Sequence, residues 1–153
     1  MSGAFRASAG GRIDRSRQLR FTFDSKSYTG FAGDTLASAL LANGVHLMGR
    51  SFKYHRPRGV VAAGAEEPNA LVGIDRGGGR YTPNLRATQV ELYDGLFAVS
   101  QNRWPSLAFD AGAINDWMPP GLLSAGFYYK TFMGPGRAWH KLYEPAIRRS
   151  AGL

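Results

Sequence analysis

The sequence has 153 residues, enough for one domain with an extension, and 44% of them are hydrophobic. It contains no cysteine, which excludes disulfide bonds, thiolate catalysis, cysteine-bound zinc and cysteine-bound iron–sulfur clusters. The net charge of +8 predicts a surface that attracts anions, without choosing between nucleic acid, an acidic membrane, a dinucleotide and an acidic partner. Residues 1–20 lack the apolar stretch of a signal peptide, so we expect a cytoplasmic protein that makes no membrane contact.

The start of the chain predicts a flexible arm followed by a hairpin. Residues 1–17 combine Ser, Gly, Ala and Arg with too little apolar surface to offset the entropy of ordering, which indicates a flexible basic arm. Leu19, Phe21 and Phe23 alternate with polar residues and predict a half-buried strand. After a short turn, residues 27–31 predict the returning strand.

A short capped helix is predicted directly after this hairpin. Asp34 is a favoured N-cap for it, Leu36 and Leu40 fall on one helical face, and Asn43-Gly44 offers a left-handed end. A hairpin followed at once by a short helix is the way in which a β-grasp domain begins. The predicted fold class is therefore α+β, of β-grasp type, with a small mixed sheet and one helix over residues 18–100.

The second half of this domain predicts three more strand features. Ala70–Ile74 is a candidate buried strand, and Gly77-Gly78-Gly79 follows it as a hairpin tip. This triplet is not predicted to bind phosphate, because the residues after it do not begin a helix. Residues 88–93 and 96–99 predict a second hairpin joined by Asp94-Gly95.

Residues 101–153 form an irregular, aromatic-rich extension with many prolines. Short helices are predicted at Ala111–Trp117 and Arg137–Arg149, the second disturbed by Pro145. Aromatic side chains stand along the whole extension, for example at residues 127, 128, 129 and 132. Such a segment either covers a partner surface or packs back on its own sheet, and the sequence leaves both alternatives open.

The loop over residues 51–59 is the most unusual stretch of the domain. Lys53, His55, Arg56 and Arg58 are candidate anion-binding residues, and the aromatic neighbours in the loop could stack on a base. The alternative, which we favour, is a solvated basic loop or one that docks on an acidic partner. A free nucleic-acid-binding module is the rival function that these residues and the net charge allow, and we expect no nucleic acid as a partner.

The other titratable residues predict no catalytic or metal site. His46, His55 and His140 are far apart in sequence and none has a histidine partner at helical spacing. Glu66 and Glu67 are adjacent and precede a proline, which favours a loop over an acid/base pair.

Several long strings carry a resemblance to a known family. They are FKYHRPRG (52–59), GAEEPNALV (64–72), RATQVELYDG (86–95), QNRWPS (101–106) and AGFYYKTFM (125–133). From Gly11 to Leu153 the chain resembles the N-terminal region of the alpha subunits of heterotetrameric sarcosine oxidases. The resemblance implies a domain similar to a [2Fe–2S] ferredoxin.

The same resemblance implies where a cluster would be held in related subunits. Their cysteine positions correspond here to Ala62, Glu67, Ala70 and Thr88, and none of these is cysteine. Thiolates are what hold such a cluster, so we expect neither a cluster nor any other metal or cofactor in this chain. This expectation disfavours a third alternative, the small electron-transfer subunit of a related flavin-dependent amino-acid dehydrogenase.

The resemblance also implies a function for the whole assembly. Sarcosine oxidases of this type demethylate sarcosine to glycine, pass a one-carbon unit to tetrahydrofolate and form hydrogen peroxide, with FAD, FMN and NAD as cofactors. The expected role of this chain is a non-catalytic scaffold, inactive alone, whose partners are the remainder of the alpha subunit and the beta, gamma and delta subunits. In the family, the alpha subunit continues into a nucleotide-binding domain, and no motif of such a domain occurs in this sequence up to Leu153. We therefore expect this chain to be a fragment, a truncated product or a separate subunit, and all three alternatives stay open.

Overall fold

The computed structural model describes residues 5–118 and 139–150. Within these residues, seven strands, two α-helices, a 3-10 helix and a π-helical turn follow each other along the chain. They are β1 (Asp14–Phe23), β2 (Lys26–Ala32), α1 (Leu36–Ala42), β3 (Gly49–Arg50), β4 (Pro57–Arg58), β5 (Leu71–Asp75), β6 (Tyr81–Arg86), β7 (Leu96–Ser100), the 3-10 helix (Ala111–Trp117), the π-helical turn (Trp139–Tyr143) and α2 (Glu144–Ser150).

Five strands form one mixed sheet in the order β2-β1-β7-β5-β6. Strand β7 pairs parallel with β1 and antiparallel with β5, whereas β1–β2 and β5–β6 are antiparallel hairpins. The β1–β2 hairpin turns at Asp24 and Ser25, which both have positive φ, as a tight two-residue turn requires. This mixed sheet with one packed helix confirms the predicted α+β, ferredoxin-like fold class.

The core lies between one face of the sheet and helix α1. The alternation in β1 points Leu19, Phe21 and Phe23 inward, and Leu36 and Leu40 of α1 are fully buried against them. Alternating residues of the central strands complete the layer: Val72, Ile74, Leu96 and Ala98. Burial of these side chains is the main stabilising contribution in a domain of this size.

The predicted cap of α1 is wrong by one residue. Thr35 is the N-cap, and its hydroxyl accepts a hydrogen bond from the Ser38 amide in a reciprocal capping box. Asp34 is instead buried, where its carboxylate accepts hydrogen bonds from Arg6, the Phe31 amide and the Ser38 hydroxyl. The helix ends as predicted, with Asn43 as the C-cap and Gly44 at positive φ.

The predicted boundary of the N-terminal arm also needs correction. Strand β1 begins at Asp14, so residues 14–17 of the predicted arm (1–17) are part of this strand, which pairs with the edge strand β2. Arg6 donates two hydrogen bonds to Asp34, and Phe5 packs edge-on against His46 with the ring centroids 5.2 Å apart. The polar arm therefore contacts the folded domain, which its composition did not predict.

The second predicted hairpin, across Asp94-Gly95, is absent. The segment over residues 88–93 is not a strand. The Val90 carbonyl accepts a hydrogen bond from the Leu36 amide, and the Leu92 amide donates one to the Asp34 carbonyl. This segment therefore packs against the start of α1. The Asp94 side chain accepts a 2.8 Å hydrogen bond from the Arg20 amide and so connects the Asp94-Gly95 turn to β1. The chain then enters β7 alongside β1, which local turn chemistry does not predict.

Strand β5 pairs with β7 on one side and with β6 on the other, and the sequence did not predict β6 as a strand. Pro83 lies within it, at a point where the register with β5 is irregular and Asn84 has positive φ. Strand β6 is an edge strand, and a proline is tolerated there because one side of the strand needs no ladder partner. Gly77, Gly78 and Gly79 form the tip of this hairpin, as predicted, all at positive φ.

The described parts of the extension confirm short helices. A 3-10 helix spans the predicted Ala111–Trp117, and the second helical segment begins as a π-helical turn and continues into α2. Pro145 is the second residue of α2 and lies where the π-helical turn passes into the α-helix; its missing amide hydrogen cannot donate to the preceding turn. Arg137 and the aromatic residues 127, 128, 129 and 132 lie outside the described residues.

Candidate functional site: a loop closed around Glu67

The loop over residues 59–70, between β4 and β5, contains three of the four positions at which the family resemblance implies ligands. It turns back on itself, and the Glu67 amide donates to the Gly64 carbonyl. The side chain of Glu67 points into the loop and is fully buried, whereas the neighbouring Glu66 is exposed. The two adjacent carboxylates therefore diverge, as predicted, and do not form an acid/base pair.

The Glu67 carboxylate accepts four backbone hydrogen bonds. Oε2 accepts from the amides of Val61 and Ala62, each at 2.7 Å. Oε1 accepts from the amides of Asn69 at 2.7 Å and Ala70 at 3.0 Å. Burial alone would raise the pKa of this carboxyl, but the four amide donors outweigh burial and lower the pKa to about 2.

Side chains from β4, from β6 and from the turn after β6 hold the outside of the loop. The Thr88 hydroxyl donates to the Gly64 carbonyl at 2.8 Å, and Arg86 Nε donates to the Glu67 carbonyl at 3.1 Å. From β4, Arg58 donates to the side-chain oxygen of Asn69 at 2.7 Å. The loop is thus closed on the inside by a carboxylate and held on the outside by side chains from β4, from β6 and from Thr88.

The four implied ligand positions come together at this loop. Glu67 joins Ala62 to Ala70 through its two oxygens, and Ala70 is itself fully buried. The Ala87 amide donates to the Ala70 carbonyl at 2.8 Å, which places Thr88 beside it. Thr88, which is distant in the sequence, therefore shares one small region with the three positions of the loop.

The candidate anion residues of the basic loop point to separate partners. His55 Nδ1 lies 2.6 Å from Asp110 Oδ2, and Arg56 Nε lies 2.6 Å from Asp116 Oδ1. Lys53 and Arg56 also approach the Tyr54 ring, at 5.5 and 4.8 Å from its centroid. His55, Arg56 and Arg58 thus pair with different side chains, whereas Lys53 and Arg56 share the Tyr54 ring, and anion binding by these four residues stays a prediction.

Asp110 is a second buried carboxylate, which the sequence did not single out. One oxygen accepts from the amides of Trp104 and Gly112, and the other faces His55. Burial acts to raise the pKa of Asp110, but these donors hold it below its usual value. Its position before the 3-10 helix, as the N-cap, is the sequence signal that could have identified it.

The remaining histidines make separate local contacts. His46 packs against Phe5, and His140 Nδ1 lies 3.4 Å from Glu144 within the second helical segment. Within residues 5–118 and 139–150, no three His, Cys, Asp or Glu side chains are placed to hold a metal ion. The same residues contain no helix that is long and apolar enough to cross a bilayer.

Comparison with known proteins agrees with this architecture. The family described as "2Fe-2S iron-sulfur cluster binding domain" matches residues 16–103, and the chain belongs to this family. Over 150 residues, 98% of the chain, it is 64% identical to "Sarcosine oxidase subunit alpha" from Rhizobium meliloti (strain 1021). It is 44% identical over 95 residues to the protein of the same name from Corynebacterium sp. (strain U-96). The chain is thus a homologue of sarcosine oxidase alpha subunits, as the sequence resemblance predicted.

The chain spans only a small part of these relatives: 15% of the Rhizobium meliloti protein and 10% of the Corynebacterium protein. Among solved structures, L-proline dehydrogenase from P. horikoshii is similar with a TM-score of 0.47 and 22% identity. That likeness covers 61% of this chain and 17% of the dehydrogenase chain.

The residues of the loop do not fit the cluster for which the family is named. A [2Fe–2S] cluster is held by thiolates, and the four positions offer two methyl groups, a hydroxyl and a carboxylate. Both oxygens of the carboxylate are engaged by backbone amides, and the Thr88 hydroxyl is engaged by Gly64. The four positions therefore lie close together and offer no thiolate to a cluster.

Proposed function

We propose that this chain is a non-catalytic, ferredoxin-like domain of a sarcosine oxidase alpha subunit and that it serves as a scaffold. The observation that carries the proposal is the Glu67 carboxylate. It lies at an implied ligand position, and both of its oxygens accept hydrogen bonds from backbone amides of its own loop. A domain in this state has no group with which to transfer electrons. What it retains is a rigid sheet and exposed surfaces for neighbouring domains.

In this proposal the complete assembly oxidatively demethylates sarcosine to glycine, transfers a one-carbon unit to tetrahydrofolate and reduces oxygen to hydrogen peroxide. FAD, FMN and NAD belong to other parts of the assembly, and this chain binds none of them. Its partners are the remainder of the alpha subunit and the beta, gamma and delta subunits. The support is the identity with alpha subunits along almost the whole chain.

The described part of the extension supplies an apolar surface for such partners. Trp104, Phe109, Ile114 and Trp117 are 70%, 73%, 64% and 89% exposed, an unusual cluster of large apolar side chains within one short segment. Exposed aromatic residues are enriched in protein interfaces, because they bury much area with few rotatable bonds. We propose residues 101–153 as the segment that joins the β-grasp domain to the neighbouring nucleotide-binding domain.

Two measurements on the assembly purified from its natural source test the proposal. Iron and acid-labile sulfide analysis, combined with electron paramagnetic resonance after reduction, is expected to detect no stoichiometric cluster. A reduced-cluster signal equal to the amount of alpha subunit would contradict the proposal. Loss of the apolar surface in Phe109→Ser/Trp117→Ser is expected to reduce co-purification of the other subunits.

The matched control for the surface test is Tyr93→Ser. Tyr93 is 42% exposed but lies outside the extension, so its loss removes a surface aromatic residue without touching the proposed interface. Equal co-purification by the Phe109/Trp117 variant and the control would contradict the interface role.

A further inference from the structure

Four backbone amides of one loop converge on a single point. They come in two pairs, Val61–Ala62 before the turn and Asn69–Ala70 after it, and the Glu67 carboxylate fills the space between them. Consecutive amides that point into one concavity form an anion site of the kind found around phosphates and iron–sulfur clusters. The loop backbone is therefore built to surround negative charge.

The position of Glu67 in the sequence matches the spacing of a cluster site. Ala62, Glu67 and Ala70 are separated by four and two residues, which is the spacing of the first three cysteines in plant-type ferredoxins. The carboxylate stands at the second of these positions and reaches the amides of the first and the third. The amides that it contacts are thus those of the residues that would surround the cluster.

The charge of the carboxylate is suited to this position. A [2Fe–2S] core with four thiolates carries net negative charge, and hydrogen bonds to its sulfur atoms stabilise that charge. Without an anion, the buried amide of Ala70 and the three partly buried amides would lack their acceptor, and such donors are costly in a folded protein. A loop that has lost its thiolates therefore needs another anion if its backbone is to keep the same path.

We propose that Glu67 is a built-in anion that replaces the iron–sulfur cluster: its carboxylate fills the amide site of the cluster loop, orders residues 59–70 and prevents a cluster from entering. The inference goes beyond the scaffold role, and it does not depend on which assembly the domain serves. It explains why the loop is closed and hydrogen-bonded although no thiolate is present. It also assigns adjacent glutamates different roles, since only Glu67 faces the amides.

Hydrogen–deuterium exchange measured by mass spectrometry on the complete natural gene product tests the ordering role. In Glu67→Gln, the carboxamide places an NH2 group against two amide donors, so the loop opens more often. Peptides covering residues 60–71 are expected to exchange at least about tenfold faster than in the unaltered protein. Glu66→Gln removes the same charge from the exposed neighbour and is expected to leave exchange unchanged. Equal exchange in Glu67→Gln and Glu66→Gln overturns the proposal.

A set of cysteine variants tests whether the site is that of a cluster and separates this from a general failure to fold. The quadruple variant carries Ala62→Cys, Glu67→Cys, Ala70→Cys and Thr88→Cys. Without iron, the amides of its peptides over residues 60–71 are expected to exchange rapidly. Added iron and sulfide are expected to give the visible absorbance of a [2Fe–2S] cluster and to restore slow exchange. Failure to bind a cluster, or fast exchange after binding it, overturns the proposal.

The matched control for reconstitution retains Glu67. Ala62→Cys/Ala70→Cys/Thr88→Cys offers three thiolates, but the carboxylate still fills the amide site, so no cluster is expected under the same conditions. A stable cluster in this triple variant overturns the claim that Glu67 prevents cluster entry.

Discussion

The guanidinium of Arg6 donates two hydrogen bonds to the carboxylate of Asp34, at 2.9 and 2.7 Å, and connects the N-terminal segment to the residue just before the N-cap of helix α1. The Asp34 side chain is 1% exposed and that of Arg6 only 11%. Burial acts to raise the pKa of Asp34, but Arg6, the Phe31 amide and Ser38 outweigh it and lower the pKa below its usual value. The pair therefore connects a segment that resembles a flexible arm to the core.

Arg6→Ala is expected to destabilise the domain by about 2–4 kcal/mol, because it leaves a buried carboxylate without its charged partner. Arg6→Lys should recover only part of the loss, since an ammonium cannot reproduce the bidentate geometry. Thermal unfolding of the purified protein checks both. Arg12→Ala removes an exposed arginine of the same segment and serves as the control. Equal melting temperatures for Arg6→Ala and Arg12→Ala would refute the prediction.

The local parts of the fold were predictable from the sequence. Strand β1, strand β2 and helix α1 follow from alternation and end signals that act within a few residues, as Phe21 and Gly44 illustrate. Strand β6 was not predictable, because Pro83 reads as a strand breaker unless its edge position is known. Asp94-Gly95 was misleading, because the parallel pairing of β7 with β1 depends on a distant strand.

The candidate site was only half predictable. The family resemblance implied Ala62, Glu67, Ala70 and Thr88 as one set of positions, and the structure brings these residues together. The inward direction of Glu67 was missed, because a Glu-Glu-Pro string is typical of an exposed loop. An acidic residue at a ligand position in a chain without cysteine was the available signal.

Asp110→Ala is expected to cost about 2–4 kcal/mol and to loosen the 3-10 helix that it caps. The change leaves the amides of Trp104 and Gly112 without an acceptor and removes the partner of His55. Chemical denaturation followed by tryptophan fluorescence measures both effects. Asp116→Ala is the control in the same helix: its ion pair with Arg56 is largely exposed, and such pairs contribute at most about 1 kcal/mol. The prediction fails if Asp116→Ala is the more damaging change.

Gly30→Ala is expected to destabilise the domain by about 1–3 kcal/mol through overpacking. Gly30 is buried in β2, and an added Cβ would lie 2.5 Å from Leu92 Cδ2 and 3.0 Å from Ala39 Cβ. Both neighbours belong to the packed layer around α1, so neither moves without disturbing the core. The midpoint of urea unfolding measures the loss. Ser27→Ala, at an exposed position of the same strand, should leave the midpoint unchanged.

Glu67 predicts a specific dependence of stability on pH. Its pKa of about 2 in the folded protein lies below the ordinary glutamate value of 4.5, so its ionised form contributes stability that is fully present above pH 4.5. That contribution is lost progressively as the pH falls from 4.5 towards 2. We therefore expect Glu67→Gln to be less stable than the unaltered protein by roughly 2–4 kcal/mol at pH 7, because two buried amides lose their acceptor.

The difference between the two proteins should shrink as the pH falls below 4.5, since protonation removes the charge from the unaltered carboxyl. Denaturant unfolding at pH 7, 5, 4 and 3 measures it. Glu66→Gln is the matched control, because Glu66 is exposed and its substitution is expected to give no difference that changes with pH. A Glu67→Gln difference that stays constant from pH 7 to 3 would mean that the carboxylate charge does not stabilise the loop.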